Sequence, residues 1–160
     1  MKAKVESHER KYTFDTVPTR PTVFLDESTR PDSPTTSKLC GTPYLPEHSP
    51  YPSFDGDPLL FIAQFNFAEL PPLPGFPTAG LLQLFLPDDG DWGAHYLKQV
   101  VEEGNQSPTP FARYIADLTA PHVGEVPEEV IDEGDHPAEN PSVATVLDGN
   151  LGCLLYTSDA

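Results

Sequence analysis

Twenty of the 160 residues are proline, spread from Pro18 to Pro141, and this constrains the fold more than any other feature of the chain. Proline brings no backbone donor, and its ring collides with the preceding turn of a helix. Long regular helices are therefore excluded across most of the sequence, which leaves short strands joined by ordered turns. The chain is not wholly disordered, because nine Phe and six Tyr gather into a few dense runs within a composition that is 38% hydrophobic. Its length suits one domain, which at this size buries roughly two-thirds of its unfolded surface.

The stretch from Ser37 to Tyr96 carries most of the information. Between Leu39 and Pro58, prolines at 43, 46, 50, 52 and 58 alternate with Leu39, Tyr44, Leu45, Tyr51 and Phe54. A flexible linker would lack those aromatics, so the spacing predicts an extended arm that packs over a core. Leu59–Phe67 predicts a strand with Leu59, Phe61, Ala63, Phe65 and Phe67 on one apolar face and Leu60, Ile62, Gln64 and Asn66 on the other. That second face turns polar halfway along, which points to solvent or to a polar interior site. After a proline-rich connection over 68–79, Gly80–Leu86 predicts a second strand, antiparallel to the first. Pro87 to Asp91 ends it in a turn, and Phe111–Ile115 predicts another short strand.

Outside this region the pattern thins. Residues 1–36 read as a charged lead-in with candidate strands at Tyr12–Val17 and Thr22–Leu25, followed by a polar surface loop. Tyr96–Glu103 reads as a short strand or one helical turn. Residues 119–152 are acidic and contain Pro121, Pro127, Pro137 and Pro141, so an exposed stretch is expected there. The expected division is a lead-in over 1–36, a β domain over 37–118, the acidic stretch over 119–152 and a tail over 153–160.

The formal charge of −16 is unevenly placed: residues 1–38 carry seven Lys or Arg against six acids, and the remainder carries two against nineteen. Such a surface repels phosphate backbones and anionic lipids, so neither nucleic acid nor membrane is an expected partner. A basic protein is the partner its field would attract, although the plainest role of the charge is solubility. The two cysteines, Cys40 and Cys153, make no disulfide framework. No apolar stretch follows Lys2, Lys4, Arg10 and Lys11, and a cytoplasmic location is expected.

Four consecutive segments resemble the YwqG-like family of bacterial proteins of unknown function. They are Ser37-Lys38-Leu39-Cys40-Gly41-Thr42-Pro43-Tyr44-Leu45-Pro46, then Tyr51-Pro52, then Pro58 to Leu70, then Gly80-Leu81-Leu82-Gln83-Leu84-Phe85. The resemblance implies a mainly β, antiparallel, roll-like architecture of two related halves, with the proline-rich arm wrapping the sheet. Cys40 stands where the family usually has the first glycine of a pair, so it has to accept the backbone geometry a glycine supplies, and Tyr51 stands where tryptophan is common. Family members continue into a second half that nothing after Leu118 resembles, so this chain is expected to be a truncated first half. Residues 153–160 resemble the translation of a transposase adapter from sequencing libraries and are expected to be an assembly artefact. The alternative is a natural apolar tail at 151–156 packing as a final strand. A missing half that normally covers the sheet would leave one face of Leu59–Phe67 or of Leu81–Leu86 unusually exposed.

Candidate chemistry is sparse. Asp88, Asp89 and Asp91 around Gly90 look like a calcium loop, but counting from Asp88 the fifth position is Trp92 and the twelfth Gln99, where ligands are needed. A solvated turn is the expectation. Asp91, Trp92 and His95 suggest a small polar site with an imidazole base, yet no nucleophile in a recognisable elbow lies near. His122 and His136 lack the short ligand pairing of a zinc site and are expected on the surface. Gln64, Asn66 and Gln83 on adjacent strands either line a binding groove or bond each other and a loop carbonyl. No glycine-rich phosphate loop is present, and no cofactor or metal is expected. These observations favour a non-enzymatic acidic binding module, with toxin immunity as one concrete version. The alternative is an enzyme whose site lies at the strand ends around Asp88 to His95.

Overall fold

The structure is a computed structural model in which residues 19–94, 111–127 and 136–155 are described. The strands are β1 (Thr19–Glu27), β2 (Lys38–Leu39), β3 (Ser53–Phe54), β4 (Asp57–Pro58), β5 (Leu60–Asn66), β6 (Leu81–Leu86), β7 (Ala112–Ile115) and β8 (Thr145–Leu155). Six of them form one sheet in the order β1-β8-β2-β5-β6-β7, while β3 and β4 pair as a separate small ribbon. Among the described residues every pairing is antiparallel and the sheet does not close into a barrel. The chain is mainly β, as its prolines dictate. The candidate strands at Tyr12–Val17 and Tyr96–Glu103 lie outside the described residues.

The two proline-free apolar runs become β5 and β6, neighbours in the sheet, and Phe111–Ile115 supplies β7 on the far side of β6. The alternation predicted for Leu59–Phe67 is broken, however. The register shifts between Phe61 and Ala63, so Phe61 faces Phe85 while Gln64 faces Gln83. Ile62 is the extra residue of a β-bulge, which carries Phe61 over to the face of Gln64 and Asn66. Both carbonyls at the bulge are used. That of Ile62 accepts the Cys40 N–H at 2.9 Å, and that of Phe61 accepts His136 Nε2 at 3.0 Å.

The inner face of the sheet therefore combines apolar and polar residues. Leu59, Phe61, Phe85 and Phe111 form an apolar cluster against which Tyr51 and Phe54 pack. Tyr51 meets Phe85, and Phe54 meets Phe111, edge to face at centroid separations of 6.0 and 5.6 Å. Such pairs add about 0.5–1.5 kcal/mol each to the burial of their area. The proline-rich arm is what covers this face, with Pro43, Tyr44 and Leu45 buried within it. The outer face is more open away from Leu60 and Ala63, which are buried: Phe65, Leu82 and Leu84 are half-buried, and Leu39 and Tyr114 are 41% and 48% exposed.

The region after Leu118 holds more structure than its composition suggests. Backbone bonds dock 121–123 on the arm, with Glu47 N–H on the Pro121 carbonyl and Val123 N–H on that of Leu45, each at 2.9 Å. β8 then enters the middle of the sheet, pairing Thr145 and Val146 with β2 and Leu147–Leu155 with β1. Residues 151–155 thus lie in β8. Asp148, Gly149, Asn150 and Gly152 are turn-type residues that hide this strand in the sequence. Gly149 is required by packing, since a Cβ there would lie 2.6 Å from Leu70 Cδ2 and 2.9 Å from Val23 Cγ1.

Cys40 adopts φ +56°, the left-handed geometry expected of a position where glycine is usual, and Gly41 follows at φ +72°. A Cβ on Gly41 would sit 2.7 Å from Ala144 Cβ, against the segment leading into β8. Left-handed backbone alone costs a side-chain-bearing residue about 1–2 kcal/mol, and the clash adds to that. Gly41→Ala is expected to lower stability by about 2–3 kcal/mol in urea denaturation; an unchanged midpoint would contradict this packing.

A buried polar clamp and an apolar pocket

Gln64 and Gln83 face each other across β5 and β6, and neither exposes any surface to solvent. A buried primary amide has two donors and two acceptor sites to satisfy. Gln64 Oε1 accepts the Tyr44 N–H at 2.9 Å and Gln83 Nε2 at 3.1 Å, while its Nε2 donates to the carbonyls of Pro34 and Thr36 at 2.8 and 2.7 Å. Gln83 Nε2 also donates to the Tyr44 carbonyl at 2.9 Å, and its Oε1 accepts Arg113 Nε and Nη2 at 2.9 and 2.6 Å. Both glutamines are saturated, and together they grip both backbone polar groups of Tyr44 in the arm. Arg113, opposite Gln83 on β7, further contacts the Pro50 carbonyl and lies over the Phe85 ring at 5.6 Å.

A second set of bonds holds the loop before β2. Asn66 donates from Nδ2 to the Thr35 carbonyl at 3.0 Å and from its backbone to Ser37 Oγ at 2.9 Å. Lys38 is 1% exposed, with Nζ donating to Asp32 Oδ1 at 2.8 Å and to the Ser33 carbonyl at 3.0 Å. A charge removed from water to this degree needs such partners, and deleting one strands the other. No buried side-chain polar atom among the described residues lacks a hydrogen-bond partner.

Burial raises the Tyr51 hydroxyl well above the ordinary tyrosine range, against the opposing pull of the Arg113 charge, and this hydroxyl donates to the Leu59 carbonyl at 2.9 Å. Burial also lowers the proton affinity of Arg113 and raises that of the Cys40 thiol. These shifts belong to packed structural groups rather than to an open site.

Gln64, Asn66 and Gln83 are thus brought together, with their hydrogen bonds taken up by one another, by Arg113 and by loop and arm backbone. The acidic candidates lie elsewhere. Asp88, Asp89, Asp91 and Trp92 are exposed, and Asp89 Oδ1 accepts the N–H groups of Asp91 and Gly93 at 3.3 and 2.9 Å, which caps the turn. His95 lies outside the described residues. Among the described residues no group of three His, Cys, Asp or Glu is placed to hold a metal ion.

His122 and His136 are not surface bystanders. His122 Nδ1 accepts the Leu45 N–H at 3.1 Å and its ring stacks on Tyr44 at 5.9 Å. His136 Nδ1 accepts the Ala138 N–H at 2.9 Å, so Nε2 carries the proton donated to Phe61 at the bulge. Their partners are backbone groups distant in sequence, which no local motif records. Arg113 had a weak signal: apart from Lys98 it is the one base after Lys38 in an otherwise acidic region.

On the outer face a pocket of about 210 Å³ opens between β1, the β5–β6 pair and the proline-rich loop over 70–77. Val23 and Leu25 form one wall, Phe65, Phe67 and Leu82 the floor, and Phe76 the loop side. The lining is almost wholly apolar.

The clamp generates a prediction. Gln83→Leu would remove the shorter of the two bonds to the Tyr44 carbonyl, both bonds that Arg113 makes to Gln83 Oε1, and one of the two bonds to Gln64 Oε1, and each buried group left short of a partner costs about 1–3 kcal/mol. Urea denaturation is expected to show a loss of about 3 kcal/mol or more. Adding Gln64→Leu should cost less than the sum of the two single changes, because they share a bond. A loss below about 1 kcal/mol, or full additivity, would contradict the clamp.

The family model described as "Domain of unknown function (DUF1963)" matches residues 37–146, from the start of the arm to the entry of β8. No curated protein matches the chain. The matched span contains the clamp, the arm and strands β2 to β7, and covers more than half of the sequence, so the chain belongs to the DUF1963 family.

Proposed function

We propose that this domain is a non-enzymatic protein-binding module that recognises a basic partner, and that within its family it is YwqG-like. The observation that carries this reading is an open apolar sheet face on a strongly acidic chain. Leu39, Tyr114 and Leu25 on the sheet, and Phe76 on the loop over 70–77 beside it, are each more than 40% exposed, in a protein of formal charge −16. Exposed apolar surface of this kind on a soluble domain marks an interaction site, and the surrounding charge selects the sign of what approaches. The polar residues within the sheet support the same reading, since Gln64 and Gln83 have no hydrogen-bonding capacity left for a substrate. Immunity to a basic secreted toxin is a concrete form of this role, by analogy, and would place the protein in the cytoplasm.

The immobilised chain is expected to retain a basic protein from a lysate of its source at low salt and to release it at about 0.5 M salt, where the Debye length falls to a few ångströms. A charge-matched acidic protein without the apolar face should retain nothing comparable. Equal retention by both, or retention of acidic proteins, would sink the reading.

A further inference from the structure

We infer that the pocket beneath β1 is the anchor site for one large apolar side chain carried on an extended basic segment, which adds as a strand beside β1. This inference rests on the binding-module reading and names the partner chemistry for it.

Size comes first. At about 210 Å³ the pocket exceeds the roughly 150 Å³ cavity that admits benzene, yet it is smaller than the about 300–1,000 Å³ typical of drug-sized ligands. It suits a Phe or Leu side chain rather than a cofactor. The lining chemistry agrees, because Val23, Leu25, Phe65, Phe67, Phe76 and Leu82 offer no side-chain hydrogen bond, and a polar group placed there would lose its hydration without compensation.

The approach to the pocket is set by the sheet. β1 stands at the edge, paired only with β8 among the described residues. An edge strand presents unpaired backbone groups along its free side, which is the template for strand addition. Val23 and Leu25 are two apart on β1 and both line the pocket, so an added strand would send alternate side chains toward the same opening. Thr22–Glu27 contains no proline that would interrupt such pairing. Charge then selects the segment. Asp26 and Glu27 follow Leu25 directly and are exposed, the one base on β1 is Arg20 at its far end, and the chain from Leu70 to Pro87 carries no charged residue. A Lys- or Arg-bearing segment is attracted to this mouth and an acidic one is repelled. The walls are held in advance, with Leu70 and Pro71 fitted against Gly149 and the Phe67 and Phe76 rings packed at a centroid separation of 6.3 Å, so little ordering is needed on binding.

The test is selection of a displayed random heptapeptide library against the full 160-residue chain, followed by calorimetric titration of the enriched peptides. Enriched sequences are expected to combine Lys or Arg with one Phe, Leu or Trp. Replacing that apolar residue by Ala should weaken binding about ten-fold or more. Leu25→Ser and Phe76→Ser change two exposed positions; each is expected to weaken the selected peptide about five-fold with an unchanged melting temperature. Basic peptides that bind wild type and both variants equally would overturn the anchor while leaving the acidic-surface reading intact. Acidic enriched peptides, or no enrichment, while the chain still captures a basic protein, would also overturn the anchor alone. Failure to bind any basic peptide or protein would sink both. Binding of the neutral dye N-phenyl-naphthylamine without any peptide competing for it would make this a small-molecule pocket and overturn the proposal.

Discussion

A proline-rich arm laid across the face of a sheet has backbone groups that cannot join the ladder beneath it, and this protein meets that constraint with two glutamines. Gln64 and Gln83 rise from adjacent strands and take the N–H and carbonyl of Tyr44 in place of a partner strand. A buried backbone group left unpaired costs more than a typical hydrogen bond contributes, so at Tyr44 the glutamines hold down an arm that Pro121, His122 and Arg113 fasten at Leu45, Glu47 and Pro50. Their remaining atoms tie in the loop over 34–36 and, through Arg113, the strand β7. Arm, loop and three strands are therefore coupled through two side chains. The apolar cluster of Leu59, Phe61, Phe85 and Phe111 is sealed by the same arm, whose Tyr51 and Phe54 pack on it.

The bulge at Ile62 makes this arrangement possible. Without it Phe61 and Gln64 would fall on opposite faces, and the inner face would lack either its apolar cluster or its clamp. Bulges redirect side chains in this way at the price of two displaced carbonyls, which here find Cys40 and His136. Cys40 itself sits in left-handed backbone, so the hinge between β2 and the arm carries strain that the bond to Ile62 helps to offset.

Much of the fold was legible from the chain, for reasons that also explain what was not. Dense apolar runs free of proline became β5 and β6, Phe111–Ile115 became β7, and Thr22–Leu25 lies within β1. Aromatics alternating with prolines correctly signalled a packed arm. Periodicity failed at Ile62 because an inserted residue inverts alternation without changing composition. It failed at β8 because Asp148, Gly149, Asn150 and Gly152 mimic a turn, although Gly149 is there to admit Val23 and Leu70. Asn66, Gln64 and Gln83 were recognisable as neighbours, but their partners Pro34, Thr36 and Tyr44 are backbone groups brought in by tertiary structure, as are those of His122 and His136. The pocket escaped notice because its walls come from three separate stretches, none distinctive alone.

The two faces of the sheet divide the work. The inner face uses its polar groups for internal structure, and the outer face keeps apolar surface open beside the edge strand β1. All of this depends on the arm being held as a fixed layer. Native-state hydrogen exchange of the Tyr44 amide tests that most directly, because this N–H sits in a proline-rich segment outside the strands and, among the described residues, is bonded only to Gln64 Oε1. Protection comparable to the amides in the middle of β5 and β6 is the predicted result. Exchange as fast as at the exposed Thr42 amide would contradict the clamp and the account built on it.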